Sequence, residues 1–329
     1  MKHILLPDSR ERKLVFYLAM EEFLARQNDN EEAFFIWQVA PTVICGRNQN
    51  IETEVNLDYC QKNKINIFRR KSGGGCVYAD RGNLMLTWIT RSEGAQQTFD
   101  RYLKRISELI CDTGAHATVT GRNDILIDGR KVSGNAFYQT PAKSIVHGTL
   151  LYQTDFEHLT QAITPSHAKT ASKGVASVRQ RVTNLSEHTS WSEEEIKRHL
   201  IRSLCDGERM LTENELKAIE QIEATYLTED FLWGKNPPSN ITCSGRIEGV
   251  GNFIVRFDMR NGKIQNLALE GDFFTLEDPV PVLESCLCGR PLQENAFREA
   301  LAQTDLSRYV HRLNTEDWIR MIFNGKTPE

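Results

Sequence analysis

The feature that most constrains this chain is a run of three glycines, Gly73 to Gly75, between three cations and a β-forming pair. The whole stretch, residues 69–78, reads RRKSGGGCVY. Glycine loses more backbone entropy on folding than any other residue, so three together indicate a sharp bend or an approach too close for a Cβ. The neighbouring cations favour an anionic ligand. A surface hairpin loop with stray basic residues also fits these ten residues, because three glycines are not a specific phosphate motif.

The composition is that of a globular protein with about two domains. The chain has 329 residues, of which 40% are hydrophobic and 26% are charged. Its 40 Lys and Arg residues against 44 Asp and Glu residues give a net charge of −4, which argues against nucleic-acid binding. No stretch approaches 18 uninterrupted apolar residues, so we expect no membrane association through a spanning helix.

The cysteines predict neither a zinc site nor a redox motif. Eight of them are scattered along the chain, and the closest pair, Cys286 and Cys288, has the spacing C-x-C. The apolar run after Met1 is too short for an export signal. We therefore expect a cytoplasmic protein with reduced thiols.

Hydrophobic periodicity predicts a large α+β domain over residues 1–238 and a small α+β domain over 239–329. The boundary is placed at the linker-like segment 234–240, which contains glycine and two prolines. Within the large domain the glycine run lies between strand candidates, so it is predicted to connect strands. The pair Asp128-Gly129 predicts a two-residue hairpin turn.

The first helix is predicted from an apolar face and a capping box. Phe16, Met20 and Leu24 belong to a set of apolar residues at helical spacing. Asp8 and Glu11, three residues apart, are typical of a capping box at the start of such a helix.

Polar, small and basic residues interrupt several strand-like stretches after residue 120. Gly134 and Gly148 lie inside predicted strands, which indicates close approach by a ligand or another chain segment. Taken singly, Lys131 reads as a solvated hairpin lysine, His147 as a structural histidine and Asp124 as a hairpin cap. A half-buried strand would more often hold Val, Ile or Phe, so the cluster as a whole favours a binding site.

Seven segments in order carry a family resemblance: GRNQN at 46–50, RRKSGGGCVY at 69–78, GN at 82–83, GRNDI at 121–125, DGRKVSGNA at 128–136, HGTLL at 147–151 and KGVASVRQRVTNL at 173–185. Together they resemble the lipoate–protein ligase A family. The resemblance extends over nearly the full chain, because residues 233–237 and 271–274 are similar to the family's small C-terminal domain.

The resemblance implies a fold and an activity. The fold is α+β: a large domain with a mixed or antiparallel sheet, similar to the biotin and lipoate ligase (class II synthetase-like) fold, and a small α+β C-terminal accessory domain. The activity is ATP-dependent ligation with Mg²⁺, in which lipoate gives lipoyl-AMP and pyrophosphate. The lipoyl group then passes to a lysine of an acceptor, either a lipoyl domain of a 2-oxoacid dehydrogenase E2 subunit or the glycine cleavage H protein.

The resemblance also implies site residues. Lys131 is the implied catalytic cation, and Asp124 either orients it or holds Mg²⁺. The residues implied to bind ATP or the adenylate are Arg70, Gly75, Cys76, Val77, Tyr78, Lys131, Ser177 and Arg179. The residues implied to bind lipoate are Ser72, Gly73, Gly74, Lys131, Ala136 and His147, with Val43 and Val77 as further lining candidates. The run 173–184 is expected to be a flexible cover over the adenylate.

Two departures and three alternatives accompany this interpretation. Ala79 stands where the family pattern usually has His, and Met85 where it often has a smaller or polar residue. An ATP-independent lipoyl or octanoyl amidotransferase would carry the acyl group on a cysteine, for which Cys76 is the candidate. A non-catalytic paralogue would bind lipoate or lipoyl-AMP without activating it. A biotin ligase would require a GRGRxGxxW sequence, which the chain lacks.

Overall fold

The computed structural model describes residues 1–27, 29–91, 94–120, 123–163, 181–234, 241–260 and 262–324. The chain divides into two compact units. Unit 1 contains residues 1–45, 51–70 and 76–232, and unit 2 contains residues 46–50, 71–75 and 233–329. The division thus falls between Leu232 and Trp233, whereas the predicted boundary after residue 238 lies outside the described residues. Nothing in the sequence indicated that two short N-terminal segments would group with unit 2.

A mixed sheet is the centre of unit 1. In the described part of this unit, eight strands form the large sheet in the order β11 (Gly207–Met210), β1 (Lys2–Leu5), β2 (Ala33–Trp37), β6 (Asn83–Arg91), β10 (Lys143–Leu151), β9 (Arg130–Gln139), β8 (Asp124–Ile127) and β7 (Ala117–Val119). β1 pairs in parallel with both neighbours, and the remaining pairs are antiparallel. A smaller sheet has the order β4 (Asn66–Arg69), β3 (Thr42–Cys45) and β5 (Val77–Ala79). The predicted connection of strands by the glycine run is therefore confirmed, because residues 70–76 join β4 to β5.

Helices cover both faces of the large sheet. The described helices of unit 1 are α1 (Leu14–Arg26), α2 (Ile51–Glu54), α3 (Leu57–Lys62), α4 (Ala95–Cys111), α5 (Phe156–Ala162), α6 (Glu193–Leu204), α7 (Glu213–Tyr226) and α8 (Glu229–Trp233), with a 3₁₀ turn at Leu185–Glu187. One face packs on α1 in a cluster that includes Phe35, Trp37 and Met85. The other packs on α4, where the rings of Tyr102 and Trp88 lie 5.9 Å apart. These are called the α1 face and the α4 face below.

The predicted capping box is wrong, although the predicted helix exists. Helix α1 begins at Leu14 with Lys13 as its N-cap residue. The carboxylate of Asp8 instead accepts hydrogen bonds from the backbone N–H of Arg10 and from the guanidinium of Arg12, at 3.0 and 2.7 Å. The guanidinium groups of Arg10 and Arg12 both bond this carboxylate, which therefore does not cap the helix that begins at residue 14.

Unit 2 is a small α+β body around an antiparallel sheet. Its described elements are β12 (Ile241–Ile247), β13 (Gly251–Arg260), β14 (Lys263–Gly271), α9 (Val280–Leu287), α10 (Glu294–Ala300) and α11 (Thr315–Asn324), with a 3₁₀ turn at Leu306–Arg308. Its core combines aliphatic side chains with large aromatic ones, among which Phe253, Phe257, Phe297 and Trp318 are each almost fully buried. Among the described residues of both units, no helix has the length and apolar character needed to cross a bilayer.

Candidate active site

Lys131 is positioned by the hairpin that β8 and β9 form. The turn residues Asp128 and Gly129 have φ angles of 50° and 74°, the left-handed pair that the sequence predicted for a two-residue turn. A β-bulge follows, because Leu126 pairs with Lys131 whereas Ile125 pairs with Ser133. The bulge changes the register just beyond the lysine, so the position of its side chain depends on this local irregularity.

The ammonium of Lys131 lies against a carboxylate and above a glycine. Its Nζ is 2.8 Å from Oδ1 of Asp124, and each of the two side chains is about one-third exposed to solvent. A Cβ built on Gly134 would lie 2.5 Å from both Cε and Nζ of the lysine. The sequence predicted a close approach at Gly134, and the approaching group is this side chain. The two predicted catalytic residues are therefore adjacent, and the glycine provides the space for one of them.

The backbone of Lys131 is held by a separate segment. Its N–H donates to the carbonyl of Arg181 at 2.7 Å, and its carbonyl accepts from the N–H of Thr183 at 2.9 Å. Residues 181–183 thus run in parallel beside the lysine. They form the end of the run predicted to cover the adenylate. Residues 173–180 of that run, with the predicted adenylate contacts Ser177 and Arg179, lie outside the described residues.

Strand pairing brings several predicted residues to the α1 face. One cross-strand row contains Asp124, Gly134, Thr149, Met85 and Trp37. The next contains Ala136, His147, Thr87 and Phe35. Facing residues of antiparallel strands point to the same side, as do residues two apart along a strand. Asp124, Ala136 and His147 therefore share one face of the sheet, and Lys131 reaches it over Gly134.

A buried hydrogen-bond network fixes His147. Its Nδ1 lies 2.8 Å from Oε2 of Glu21, a residue of α1 that is 2% exposed. The other oxygen of Glu21 accepts from Thr87 Oγ1 at 2.6 Å, and that hydroxyl oxygen accepts from the indole N–H of Trp37 at 2.9 Å. A buried carboxylate is costly unless it is bonded in this way. A carboxylate oxygen accepts hydrogen bonds, so Nδ1 of His147 is the donor in this contact.

The sequence did not indicate Glu21 as part of the site. It lies within the first predicted helix, and the apolar spacing of that helix suggested a solvent-facing side for its polar residues. Ten of the thirteen residues of α1 are buried, so polar side chains of this helix also enter the interior. Two adjacent glutamates in an otherwise apolar helix are the signal that could have identified it.

Gly148 has the close contact that the sequence predicted, and this contact lies on the α4 face. A Cβ there would lie 1.9 Å from Oδ1 of Asn135, which faces it across β9 and β10. The Asn135 amide in turn donates to the carbonyl of Asn123 at 3.0 Å. Gly148 therefore makes room for a structural asparagine on the side of the sheet opposite His147.

Arg70, predicted to contact ATP, is a buried guanidinium. It is 5% exposed, and its Nη1 donates to the carbonyl of Ile44 at 3.0 Å. Burial lowers the pKa of Arg70 to about 10, so the group stays protonated at neutral pH. Its position is fixed by β3, because its backbone N–H also donates to the carbonyl of Cys45 at 3.0 Å.

The predicted lining residues Val43 and Val77 do not form one surface. Val43 pairs with Tyr78 and packs with it in a cluster that also contains Cys60. Val77 is one position along the strand and therefore faces the other side, against the cluster that contains Met85. Ala79 is fully buried in that second cluster. A histidine at position 79 would thus place a polar imidazole in an apolar core. With alanine at this position, no imidazole there needs a hydrogen-bond partner.

Cys76 lies beside a second cysteine. Its Sγ is 3.3 Å from Sγ of Cys45 and donates a hydrogen bond to it. This bond, followed by burial, raises the pKa of Cys76 well above its usual range. The thiolate is the nucleophilic form of a cysteine, so this raised pKa disfavours Cys76 as the acyl carrier of an amidotransferase.

Residues 71–75, which contain the glycine run, belong to unit 2. A Cβ on Gly73 would lie 2.3 Å from the carbonyl oxygen of Phe273, and the Gly74 N–H donates to that same oxygen at 2.8 Å. Gly74 has a φ of 87°. The side chain of Ser72 is buried, with 1% exposed. A Cβ on Gly75 would have more room than one on Gly73, because its nearest neighbour is Cβ of Asp272 at 3.8 Å. The sequence correctly indicated an approach too close for a Cβ, and at Gly73 the approaching group is this chain's own backbone.

Two family models match the chain. The lipoyl protein ligase A/B catalytic domain matches residues 14–205, and the bacterial lipoate protein ligase C-terminus matches residues 236–322. The chain belongs to the lipoate–protein ligase family. The predicted family and the prediction that the protein is an enzyme are thereby confirmed.

Curated relatives of this family are similar over almost their whole length. Lipoate-protein ligase LplJ of Bacillus subtilis is 33% identical over 93% of this chain and 96% of its own. Lipoate–protein ligase 1 of Staphylococcus aureus is 34% identical over 93% of this chain and 95% of its own.

Solved structures confirm the predicted fold class. A bipartite lipoate protein ligase of Thermoplasma acidophilum, studied with its E2 lipoyl domain, has a TM-score of 0.65 at 27% identity, over 72% of this chain and all of its own. Lipoate-protein ligase A bound with ATP has a TM-score of 0.61 at 25% identity, over 70% of this chain and 97% of its own. Plasmodium falciparum LipL1, at 21% identity, matches 97% of both chains with a TM-score of 0.76 and supports the fold.

Proposed function

We propose that this protein is an ATP-dependent lipoate–protein ligase that acts in two steps. In the first, a carboxylate oxygen of lipoate attacks the α-phosphorus of ATP, the bond to the β-phosphate breaks and pyrophosphate leaves. In the second, the amine of an acceptor lysine attacks the acyl carbon and AMP leaves. The observation that carries the proposal is the Lys131 ammonium, held 2.8 Å from Asp124 at the α1 face.

Lys131 offsets the repulsion between two anions in the first step. A carboxylate and an α-phosphate approach each other only if positive charge lies between them, and a preorganised cation is the usual source of such stabilisation. A compact ammonium suits this role, because it can change its bonding partner as the anhydride forms. The backbone bonds to residues 181 and 183 keep the lysine stem in place during that change.

Asp124 orients Lys131 in this proposal. Its carboxylate is the partner of Nζ in the ion pair, so the ammonium cannot turn away from the α1 face without losing that contact. In the described parts of the chain, no group of three or more His, Cys, Asp or Glu side chains could hold a metal ion by itself. Mg²⁺ is usually held by one or two carboxylates together with substrate phosphates, so Asp124 fits Mg²⁺ only as a single protein ligand beside ATP. Mg²⁺ would supply charge neutralisation at the phosphates.

The acyl chain is assigned to the α1 face beside Ala136 and His147. These two residues are direct cross-strand neighbours, and Ala136 has the smallest side chain in its cross-strand row. A narrow apolar slot with few, fixed polar groups suits a short acyl chain that ends in a dithiolane. Octanoate has a similar width, so we expect the slot to accept it. We expect it to be a weaker substrate than lipoate.

The acceptor is proposed to be a lipoyl domain. The Thermoplasma relative was studied with its E2 lipoyl domain, which supports an E2 subunit, and the glycine cleavage H protein is the second proposed acceptor. The adenylate is already activated, so the second step requires the enzyme to hold it and to exclude water. The departing AMP phosphate can take up the proton that the amine loses. We place this reaction in the cytoplasm.

The test is lipoate-dependent exchange of pyrophosphate into ATP. We expect Lys131→Ala to lower the exchange rate by about 100-fold, the usual cost of removing one electrostatic stabiliser. Lys197→Ala is the matched control, since Lys197 also forms an ion pair, with Glu193 at 2.6 Å, but lies on α6. Normal exchange by Lys131→Ala would show that another cation has this role. No exchange by the folded wild-type protein would favour the non-catalytic paralogue, and acyl transfer without ATP would favour the amidotransferase.

A further inference from the structure

Cys45 and Cys76 face each other where two strands end. β3 and β5 pair antiparallel with Thr42 opposite Ala79, Val43 opposite Tyr78 and Ile44 opposite Val77. The next pair in this register is Cys45 and Cys76. Their sulfur atoms are 3.3 Å apart.

This arrangement suits a disulfide. Facing residues of antiparallel strands have Cα atoms about 4.5–5.5 Å apart. That distance lies within the range of about 4.4–6.8 Å that disulfides span. The two sulfur atoms would need to approach by about 1.3 Å to reach bonding distance, a movement that side-chain rotation can supply.

The surroundings favour a thiolate at Cys45. The pKa of Cys45 is lowered, chiefly because the thiol of Cys76 donates a hydrogen bond to Cys45 Sγ. Burial opposes this shift, and the positive charges of Arg69 and Arg70 add to it. The thiolate is the form that reacts with oxidants. Cys45 is buried and Cys76 is partly exposed, so the oxidant that suits this pair is one as small as hydrogen peroxide. By contrast, burial raises the pKa of Cys60, in the same cluster as Cys45, to about 11. The three cysteines therefore differ in reactivity although they lie close together.

We propose that Cys45 and Cys76 form a reversible disulfide in response to hydrogen peroxide, and that the oxidised protein makes acyl-adenylate more slowly. Peroxide takes two electrons from the Cys45 thiolate, which becomes a sulfenic acid while water is released. The Cys76 sulfur then attacks that sulfur, the S–S bond forms, the S–O bond breaks and a second water leaves. Two thiols and one peroxide thus give one disulfide and two waters, and an external dithiol reverses the reaction.

The effect on adenylation rests on the proposed function and follows from chain connectivity. Residue 45 directly precedes the segment 46–50, and residue 76 directly follows the segment 71–75. Those segments are themselves bonded, because the Arg47 N–H donates to the Ser72 carbonyl at 2.9 Å. A disulfide between residues 45 and 76 would close a covalent ring that contains both segments, and with them the glycine run. It also removes a thiolate from beside the buried guanidinium of Arg70.

The experiment separates bond formation from activity. The full-length reduced protein is treated with peroxide, desalted, alkylated and digested without reductant. We expect a cross-linked peptide that contains Cys45 and Cys76, about 2 Da lighter than the two thiol peptides together. This measurement needs no catalytic activity. Intact thiols at both positions, or a bond between other cysteines, would overturn the proposal.

Pyrophosphate exchange then measures the consequence. The desalted oxidised protein is expected to exchange at least tenfold more slowly than the reduced protein, and to recover after treatment with dithiothreitol and desalting. Cys45→Ala should show no peroxide effect relative to its own reduced rate, whereas Cys60→Ala should remain as sensitive as wild type. If the cross-linked peptide forms but exchange is unchanged, the disulfide does not slow formation of the acyl-adenylate, and that half of the proposal is wrong. If even the reduced protein shows no exchange, the proposed function fails while the peptide still reports the disulfide.

Discussion

Adding one methyl group at Gly134 should disable the site without unfolding the protein. The Cβ of an alanine there would lie 2.5 Å from Cε and Nζ of Lys131, whereas carbon atoms in contact are normally about 3.5 Å apart or more. The lysine tip is flexible, so it will move by about 1 Å, away from its 2.8 Å contact with Asp124. A displacement of about 1 Å at a reacting centre can cost about 100-fold in rate, or about 2.7 kcal/mol.

Stability should respond in the opposite direction. Gly134 lies in β9 and does not have a positive φ, so alanine fits its backbone conformation. Replacing such a glycine removes entropy from the unfolded chain and typically stabilises a protein by about 0.4–1 kcal/mol. We therefore expect Gly134→Ala to unfold at the same urea concentration as wild type or a higher one. Lipoate-dependent pyrophosphate exchange should meanwhile fall by about 100-fold.

A double-mutant cycle tests whether the effect passes through the lysine. In the Lys131→Ala background there is no side-chain tip for the new methyl group to displace, so Gly134→Ala should have almost no further effect. Normal exchange by the single variant would refute the proposed position of the lysine. Equal, multiplicative losses in the two backgrounds would show that Gly134 acts on some other group.

Three further predictions concern other contacts. Glu21→Gln removes the charged acceptor of the buried histidine network and should lower the free energy of unfolding by about 1–3 kcal/mol, measured in urea. Gly73→Ala places a methyl group 2.3 Å from the Phe273 carbonyl and should destabilise the protein by about 1–3 kcal/mol, while Gly75→Ala, whose nearest neighbour is 3.8 Å away, should change stability much less. Asp8→Asn should lower the melting temperature most at neutral pH, because hydrogen bonds from its arginine partners lower the pKa of Asp8; the difference from wild type should shrink as the pH falls below about 4.

Local sequence signals were enough to predict the hairpin that carries Lys131 and Asp124. Asp128 and Gly129 specify a turn, and the turn brings β8 against β9, so Asp124 and Lys131 are close in space because they are close in sequence. The same reasoning predicted the glycine run as a strand connection. These elements depend on short-range chemistry, which a sequence displays directly.

Contacts between distant segments could not be predicted in this way. The pairing of Glu21 with His147 depends on which side of α1 meets the sheet, and that helix is buried on most of its circumference. The predicted lining set failed to form one surface because Val43 and Val77 differ by one step in strand register. The predicted capping box at Asp8 was wrong because the carboxylate of Asp8 is bonded to the guanidinium groups of Arg10 and Arg12, which the capping pattern does not consider.

The bond between the Gly74 N–H and the Phe273 carbonyl joins residues that are 199 positions apart. A ribosome that adds about 5–20 residues per second needs about 10–40 s to make the intervening chain. During that interval the glycine segment has no backbone partner at Phe273, and the entropy that its glycines retain is given up only when the last quarter of the protein emerges. Synthesis therefore imposes an order on folding: the segment 71–75 cannot complete its contacts until translation of the C-terminal region is well advanced. A ribosome stalled before residue 273 would hold a chain whose hairpin of β8 and β9 can form while its glycine segment stays open to proteolysis.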